Sequence, residues 1–530
     1  MTASPLELAG MLLACGGAAV ALLARDPRVR YGAAAIALAA APALVAGDVW
    51  QTERFVNLRG DPAKLVAVIA IALVAVGCGA VLFYRVRWAF AVSAFVALPL
   101  RVPVQIGGET SHLLLPLYLV IVAGFVCFAY RAFAPDRGGD RDGTGPTKTD
   151  AGAEAPAVTW LYRALAATLA LYAIQTAYSA HVSNAIENAA FFLVPFAVLF
   201  VLLTEVRWTP RLLGEVLVGV TVLALLLAAV AFWEYAARDL LLSRGTLLQS
   251  NQLHLYFRVN SVFYDPNVFG RYLALTLVAL GAYLAWARGT RGPIAAAAAA
   301  AALLAALALS YSITSFGALL AGLLVVAALR WSVRWALAGG AAILVCGAIF
   351  LLASGVGESD LGSAKNFDTT TSGRVDLVRG GLELAEDRPI WGWGSGSFGA
   401  AFSRHIERAR TTVSHSEPIT VAAEQGGIGL VVYLGLVVVA LVVLLSGGIA
   451  SAGPAAAAAC FVALIVHSLS YAGFAIDPAT WALLGMGVAL RRLRPVPAPA
   501  SAAVGGAAVV PPNGDPLPSS SGPSGMTSPP

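Results

Sequence analysis

Three observations predict an all-α polytopic membrane protein. Of 530 residues, 59% are hydrophobic and only 12% charged, whereas about a quarter of a water-soluble chain is charged. The apolar residues gather into roughly fifteen runs near the length that crosses a bilayer, about 17 to 25 residues each. The Lys and Arg residues cluster in alternate intervals between those runs, which is how charge orients successive spans.

The runs begin near Leu6, Tyr31, Lys64, Trp88, Leu113, Val158, Ala185, Leu212, Pro266, Ile294, Ile313, Trp335, Ile419, Pro454 and Asp477. The first is expected to be retained as a span, because MTASPLELAG has neither the basic start nor the small-residue cleavage site of a secretory signal. The run at 88–100 is the weakest, closed by Pro99, Arg101 and Pro103; as a re-entrant segment it would invert the spans before it and leave the later ones unchanged. With the N-terminus outside, the basic intervals 24–30, 84–87, 131–157, 205–211, 287–292, 330–334 and 491–495 face the cytoplasm. Intervals 48–63, 105–112, 180–186, 236–265, 310–312 and 355–418 then face outward.

The expected organisation is an N-terminal transmembrane unit (1–133), a disordered cytoplasmic linker (134–157), a central transmembrane bundle (158–354), a large extracytoplasmic loop (355–418), C-terminal transmembrane helices (419–494) and a disordered cytoplasmic tail (495–530). The linker is too rich in Gly, Pro and charge to bury a core, and the tail is biased to Pro, Ala, Ser and Gly. The eight alanines 295–302 follow the alanine bias of the whole chain.

All five cysteines fall inside apolar runs, as small packed residues rather than disulfides or zinc ligands. The net charge of +5 is dispersed over short loops, so it reads as a topology signal and not as a nucleic-acid surface. The first outer loop, GDVWQTERFVNLRGDP, has no closely spaced acidic pair, and no His/Cys cluster is present in the sequence, so no metal and no cofactor are expected.

The longest polar interval in the body of the chain, Gly355 to Gly429, is expected to form a catalytic lid. Within it, TTTSGRVDLVRGGLELAEDRP predicts an amphipathic helix with Ser372 as N-cap, Val375, Val378, Leu382 and Ala385 at helical spacing, and a stop at Asp387-Arg388-Pro389. Arg374 in its first turn opposes the helix dipole at about 0.3 to 1 kcal/mol. An anion bound between Arg374 and the helix N-terminus would explain it, and a plain surface arginine is the alternative. PIWGWGSGSF follows, with alternate glycines 392, 394 and 396 that permit tight turns or close approach of backbone to a ligand. It is no P-loop, since no Lys-Ser/Thr follows, and Trp391 and Trp393 equally suit an anchor at the membrane interface.

Two further groups bear chemistry. Arg258 precedes the span at Pro266 and serves either as a snorkelling arginine or as a bidentate clamp on a lipid phosphate; Arg271, one turn into that span, is a lesser substrate-binding candidate. His415 immediately precedes the next outer-to-inner span, where an imidazole can act as a base near neutral pH.

The elements RVNSVFYDPNVFGRYLA, SGR with a helix ending in DRPIWGWGSGSF, and His415 followed by Glu424 and Gly426 to Gly429 resemble the O-antigen ligase family and its related polymerases. The resemblance implies a helical bundle of the C-type glycosyltransferase kind. It implies metal-independent transfer of a glycan from an undecaprenyl-pyrophosphate carrier to a glycan or glycolipid acceptor, outside the cytoplasmic (inner) membrane. His415 would match the essential histidine, and Arg258 and Arg374 the arginines that stabilise the pyrophosphate leaving group. Arg271, Gly394, Gly396 and Glu424 are the expected substrate contacts, and membrane lipids the surrounding partners. Two positions depart from the family: Ser416 follows the histidine where Asn is frequent, and Ser315-Phe316-Gly317 stands where Ser-Arg-Gly is common. A transporter of polysaccharide or lipid carrier is the alternative, and a non-catalytic envelope scaffold a third.

Overall fold

The computed structural model describes residues 3–48, 60–106, 109–134, 155–242, 251, 257–342, 374–405, 414–446 and 449–492, all within one unit, Met1–Leu493. The expected linker, apart from its edges, the loop residues 355–373 and 406–413, and the tail lie outside the described residues.

The helices are α1 (Pro5–Leu23), α2 (Pro27–Asp48), α3 (Pro62–Arg85), α4 (Arg87–Ala97), α5 (Leu115–Phe133), α6 (Pro156–Gln175), α7 (Val182–Asn188), α8 (Val194–Thr204) and α9 (Pro210–Ala237). Then come α10 (Pro266–Trp286), α11 (Arg291–Leu309), α12 (Ile313–Arg330), α13 (Arg374–Asp387), α14 (Phe398–His405), α15 (Glu417–Leu445), α16 (Ala452–Ser468) and α17 (Pro478–Arg492). Proline opens many of them, because the first turn needs no amide donor and favours its fixed φ. Ser4 and Glu7 close a reciprocal capping box at the start of α1.

Among the described residues, eleven helical stretches are long and apolar enough to cross a membrane, and α4 and α16 are shorter apolar helices. The roughly fifteen expected runs differ from this in identifiable places. The run from Trp88 forms only the 11-residue α4, about 16 Å long and too short to cross. Pro99 and Pro103 stop it, and the chain turns into an antiparallel hairpin of β1 (Val102–Ile106) and β2 (Glu109–Leu113), with Val102 opposite Leu113. This hairpin is the one departure from all-α structure among the described residues. The run near Trp335 is described only as helix over 333–342, and the run near Asp477 is the 15-residue α17.

At the centre, every residue of α8 is buried, and so is almost all of α17. A helix apolar on all sides belongs inside a bundle. Gly485 of α17 lies against the backbone of Phe200, where a side chain would crowd it. A π turn, Ala189–Leu193, joins α7 to α8, and the Tyr118 hydroxyl donates to the Phe191 carbonyl at 2.7 Å within it.

The two ends of the bundle are built differently. At one end arginines donate to the terminal carbonyls of helices: Arg30 to Ala24 (2.8 Å), Arg131 to Tyr84 (3.0 Å), Arg330 to Ala285 (2.8 Å), Arg491 to Val443 (3.0 Å) and Arg492 to Thr204 (3.5 Å). These carbonyls have no intrahelical donor and carry the negative end of the helix dipole. Most of these arginines come from the intervals whose basic character assigned them to the cytoplasm. The opposite end holds, among the described residues, 176–181, 238–242, 257–265, 310–312, 391–398, 414–416 and 469–477.

Candidate functional site

The predicted helix of the long loop is α13, ending at Asp387 as expected. Its N-cap candidate Ser372 and the side chain of Arg374 lie outside the described residues. Leu384 of α13, Trp393, and Phe398, Ala401 and Phe402 of α14 form a small core with Ala423 of α15. The loop is thereby seated on the beginning of α15. The Arg388 guanidinium lies 3.9 Å from the Trp393 ring centroid, and Trp393 Nε1 donates to the Leu384 carbonyl at 2.9 Å.

The glycine turn is a latch. Gly392, Gly394 and Gly396 have φ of 68°, 95° and 68°, a backbone region that costs glycine nothing. Their amides go to the Arg388 carbonyl (3.0 Å), the Glu424 carbonyl (2.8 Å) and Glu424 Oε2 (2.9 Å). Glu424 Oε1 takes the Phe398 amide at 3.0 Å. On the other side, Ser179, Asn184 and Tyr178 donate to the carbonyls of Ser395, Gly396 and Trp391 at 2.6 to 2.7 Å. Gln175 bridges Trp391 and Gln425. Gly426 (φ 67°) kinks α15 against Ile390 and Gly392. Gly394, Gly396 and Glu424, expected as substrate contacts, take part in this latch through the two glycine amides and both Glu424 carboxylate oxygens.

His415 sits one residue before the N-cap of α15 with φ 62°. The Ser414 hydroxyl donates to the Ser416 carbonyl (2.8 Å) and accepts the Ser416 amide (3.1 Å), so one side chain brackets His415 on both sides. Four non-glycine residues with positive φ occur among the described residues, Arg238, Ser261, Tyr311 and His415, and all lie in connections at this end. Each such conformation costs on the order of 1 to 3 kcal/mol and concentrates where function demands a fixed geometry.

Arg258 is held as firmly. Asn251 Oδ1 accepts its amide and Asn251 Nδ2 donates to its carbonyl, both at 3.0 Å, as a paired strand would. Its Nε donates to the Ser310 carbonyl at 3.1 Å, next to Tyr311. The following residues Asn260 and Ser261 give their amides to the buried Glu234 carboxylate at 3.2 and 2.8 Å. Arg258 thus packs at the turn that leads into α12, close in sequence to Phe316, where the family pattern carries an arginine. Phe316 itself is 38% exposed.

Arg271, on α10, forms a buried ion pair with Asp477 at 2.6 Å. Asp477 also caps α17 through the Ala479 amide (2.8 Å). Glu417, at the start of α15, accepts the Gly473 amide at 2.6 Å, so the 469–477 connection is tied to both α10 and α15.

Sequence reasoning missed part of this cluster. Tyr471 lies between two imidazoles, with ring centroids 5.9 Å from His415 and 5.7 Å from His467. Tyr264, Asp265 and Arg271 also face it, and burial pushes its hydroxyl well above the usual tyrosine range. His467 is fully buried, and its Nε2 lies 3.4 Å from Ser315 Oγ and 3.5 Å from Thr314 Oγ1. The available signal was polar residues at span ends, His467 on α16 and Asp477 before α17, which hydropathy alone assigns to the interface. No group of His, Cys, Asp and Glu suited to a metal occurs among the described residues.

Arg258 and His415, far apart in sequence, thus lie in connections at one end, Arg258 against Ser310 and His415 against Tyr471, which also contacts His467. Residues 297–434 match the family model described as O-antigen ligase. That stretch includes Arg374, the glycine turn, His415 and Glu424, and leaves Arg258, Arg271, His467, Tyr471 and Asp477 outside it. A search of curated proteins finds no match to the chain. The apolar bundle thus carries, over residues 297–434, a domain of the O-antigen ligase family, whose general activity is that of a membrane glycosyltransferase.

Proposed function

We propose that the protein transfers a glycan from an undecaprenyl-pyrophosphate carrier to a hydroxyl of a glycan or glycolipid acceptor, at the outer side of the cytoplasmic membrane. The observation that carries this reading is the convergence of His415 and Arg258 on one end of the bundle, each in a backbone geometry fixed by neighbouring side chains. His415 takes the proton of the acceptor hydroxyl as its oxygen attacks the anomeric carbon. The bond from that carbon to the phosphate oxygen breaks, and the pyrophosphate leaves with the pair of electrons. Arg258 and Arg374 hold the leaving group, where a guanidinium offers paired donors to developing charge. Arg271, whose charge is met by Asp477, orders the 469–477 connection instead of meeting the donor. The outer placement rests on the positive-inside pattern, supported by the arginine-capped carbonyls at the opposite end.

The test is transfer of an undecaprenyl-pyrophosphate-linked glycan to candidate acceptors by purified protein. His415→Ala is expected to lose transfer by at least ~100-fold, and Arg258→Ala and Arg374→Ala to lose it comparably. Transfer unaffected by these substitutions would sink the site assignment, and transfer to no acceptor would favour transport or a scaffold.

A further inference from the structure

The proposed base, His415, does not stand alone. His467 is fully buried at the end of an apolar helix, where an aliphatic side chain would pack at no desolvation cost. What it gains there is a defined chain of hydroxyls. Ser312 Oγ donates to Asn267 Oδ1 at 2.9 Å, which uses its one hydrogen. The 2.8 Å contact between Ser312 Oγ and Ser315 Oγ therefore takes its hydrogen from Ser315. Ser315 Oγ, which also reaches the Asn267 carbonyl at 3.5 Å, then offers lone pairs to His467 Nε2, 3.4 Å away, an arrangement that favours a proton on Nε2. The chain runs from α10 through α12 to α16.

From His467 the same order passes to His415. The Tyr471 amide donates to the His467 carbonyl at 3.0 Å, which sets the tyrosine directly beyond the end of α16. Its ring then fills the space between the two imidazoles, tilted 57° to one and 59° to the other. Its hydroxyl end is fixed among Tyr264, Asp265 and Arg271. Tyr471, the ring against His415, is thus held beside Arg271 of α10, the helix that follows the Arg258 segment.

We propose that His467 and Tyr471 are positioning residues for His415: the Asn267, Ser312 and Ser315 chain fixes His467 as the Nε2–H tautomer, and the Tyr471 ring carries that fixed geometry to the base. This inference rests on the reading of His415 as the base. It ties base orientation to the segment that binds the donor, so that a shift of α10 on donor binding is felt at His415.

Two measurements test it. In protein labelled with ¹⁵N-histidine, the signals lost in His467→Gln identify His467, and they should report a neutral ring protonated at Nε2 near pH 7; a ring protonated at Nδ1, or charged, would overturn the proposal. In the transfer assay, His467→Ala and Ser315→Ala should lower kcat about tenfold with donor KM little changed. His467→Gln, which keeps a donor toward Ser315, should recover most of that loss. A wild type that transfers to no acceptor removes the base reading and this inference with it. Transfer that is abolished by His415→Ala yet unchanged in His467→Ala overturns the inference alone.

Discussion

Arg271 and Asp477 meet at 2.6 Å with side chains only 9% and 7% exposed, joining α10 to the connection that carries Tyr471. Removing one partner strands the other charge in a buried site. Arg271→Ala is therefore expected to destabilise the protein by about 3 to 5 kcal/mol. The double substitution Arg271→Met with Asp477→Leu should recover most of it, less about 1 kcal/mol for the lost cap of α17. Thermal unfolding of the purified protein in one detergent checks this; equal losses in single and double variants would count against the pair.

Ser414 offers a separation of folding from catalysis. Its hydroxyl brackets His415 through both the amide and the carbonyl of Ser416. Ser414→Ala should leave the bundle folded, because α15 and its packing remain, and should cut transfer about tenfold by loosening the base. Unchanged transfer would show that the turn is held by other means.

The latch predicts a graded response at Glu424. Alanine there leaves the buried Gly396 and Phe398 amides without acceptors, about 1 to 3 kcal/mol for each. Glutamine keeps one acceptor oxygen and should cost roughly half as much. Limited proteolysis near 391–398 reads the difference, with cleavage fastest in the alanine variant.

Gly394 and Gly435 make a matched pair of glycine substitutions. An alanine at Gly394 meets the backbone of Ser179 at φ 95°, and folded protein should be lost. At Gly435, within α15, nothing lies within 4 Å of an added Cβ, and alanine should be neutral or stabilising by up to about 1 kcal/mol. Yield of monodisperse protein after extraction distinguishes them.

The fold was legible where one-dimensional signals decide it. Apolar runs, initiating prolines and basic intervals specified most helices, and Asp387-Arg388-Pro389 placed the end of α13. The site was legible only in part. His415 and Arg258 stand in polar intervals and so draw notice, whereas His467 and Asp477 sit at span ends and show their purpose only when helices distant in sequence pack together. Gly394, Gly396 and Glu424 show a related ambiguity. Glycine spacing shows that a close approach is needed, but not whether a ligand or the protein's own backbone makes it; here it is the backbone of Ser179, Ala185 and Glu424. The weakness of the run at 88–100, by contrast, was legible in Pro99, Arg101 and Pro103, and that run forms only the short α4.

Helix α17 is among the most deeply enclosed of the described helices. Almost every residue of α17 is buried, it lies against the equally buried α8, and Arg492 at its end reaches the Thr204 carbonyl and the Tyr162 hydroxyl, 288 and 330 residues earlier in the chain. Assembly in the membrane consequently remains incomplete until α17 is in place. The earlier helices must wait beside one another with a vacant slot at their centre, exposed to insertion chaperones and membrane proteases. Loss of α17 would therefore be read by the cell as failed biogenesis of the whole bundle, well before any question of catalysis arises.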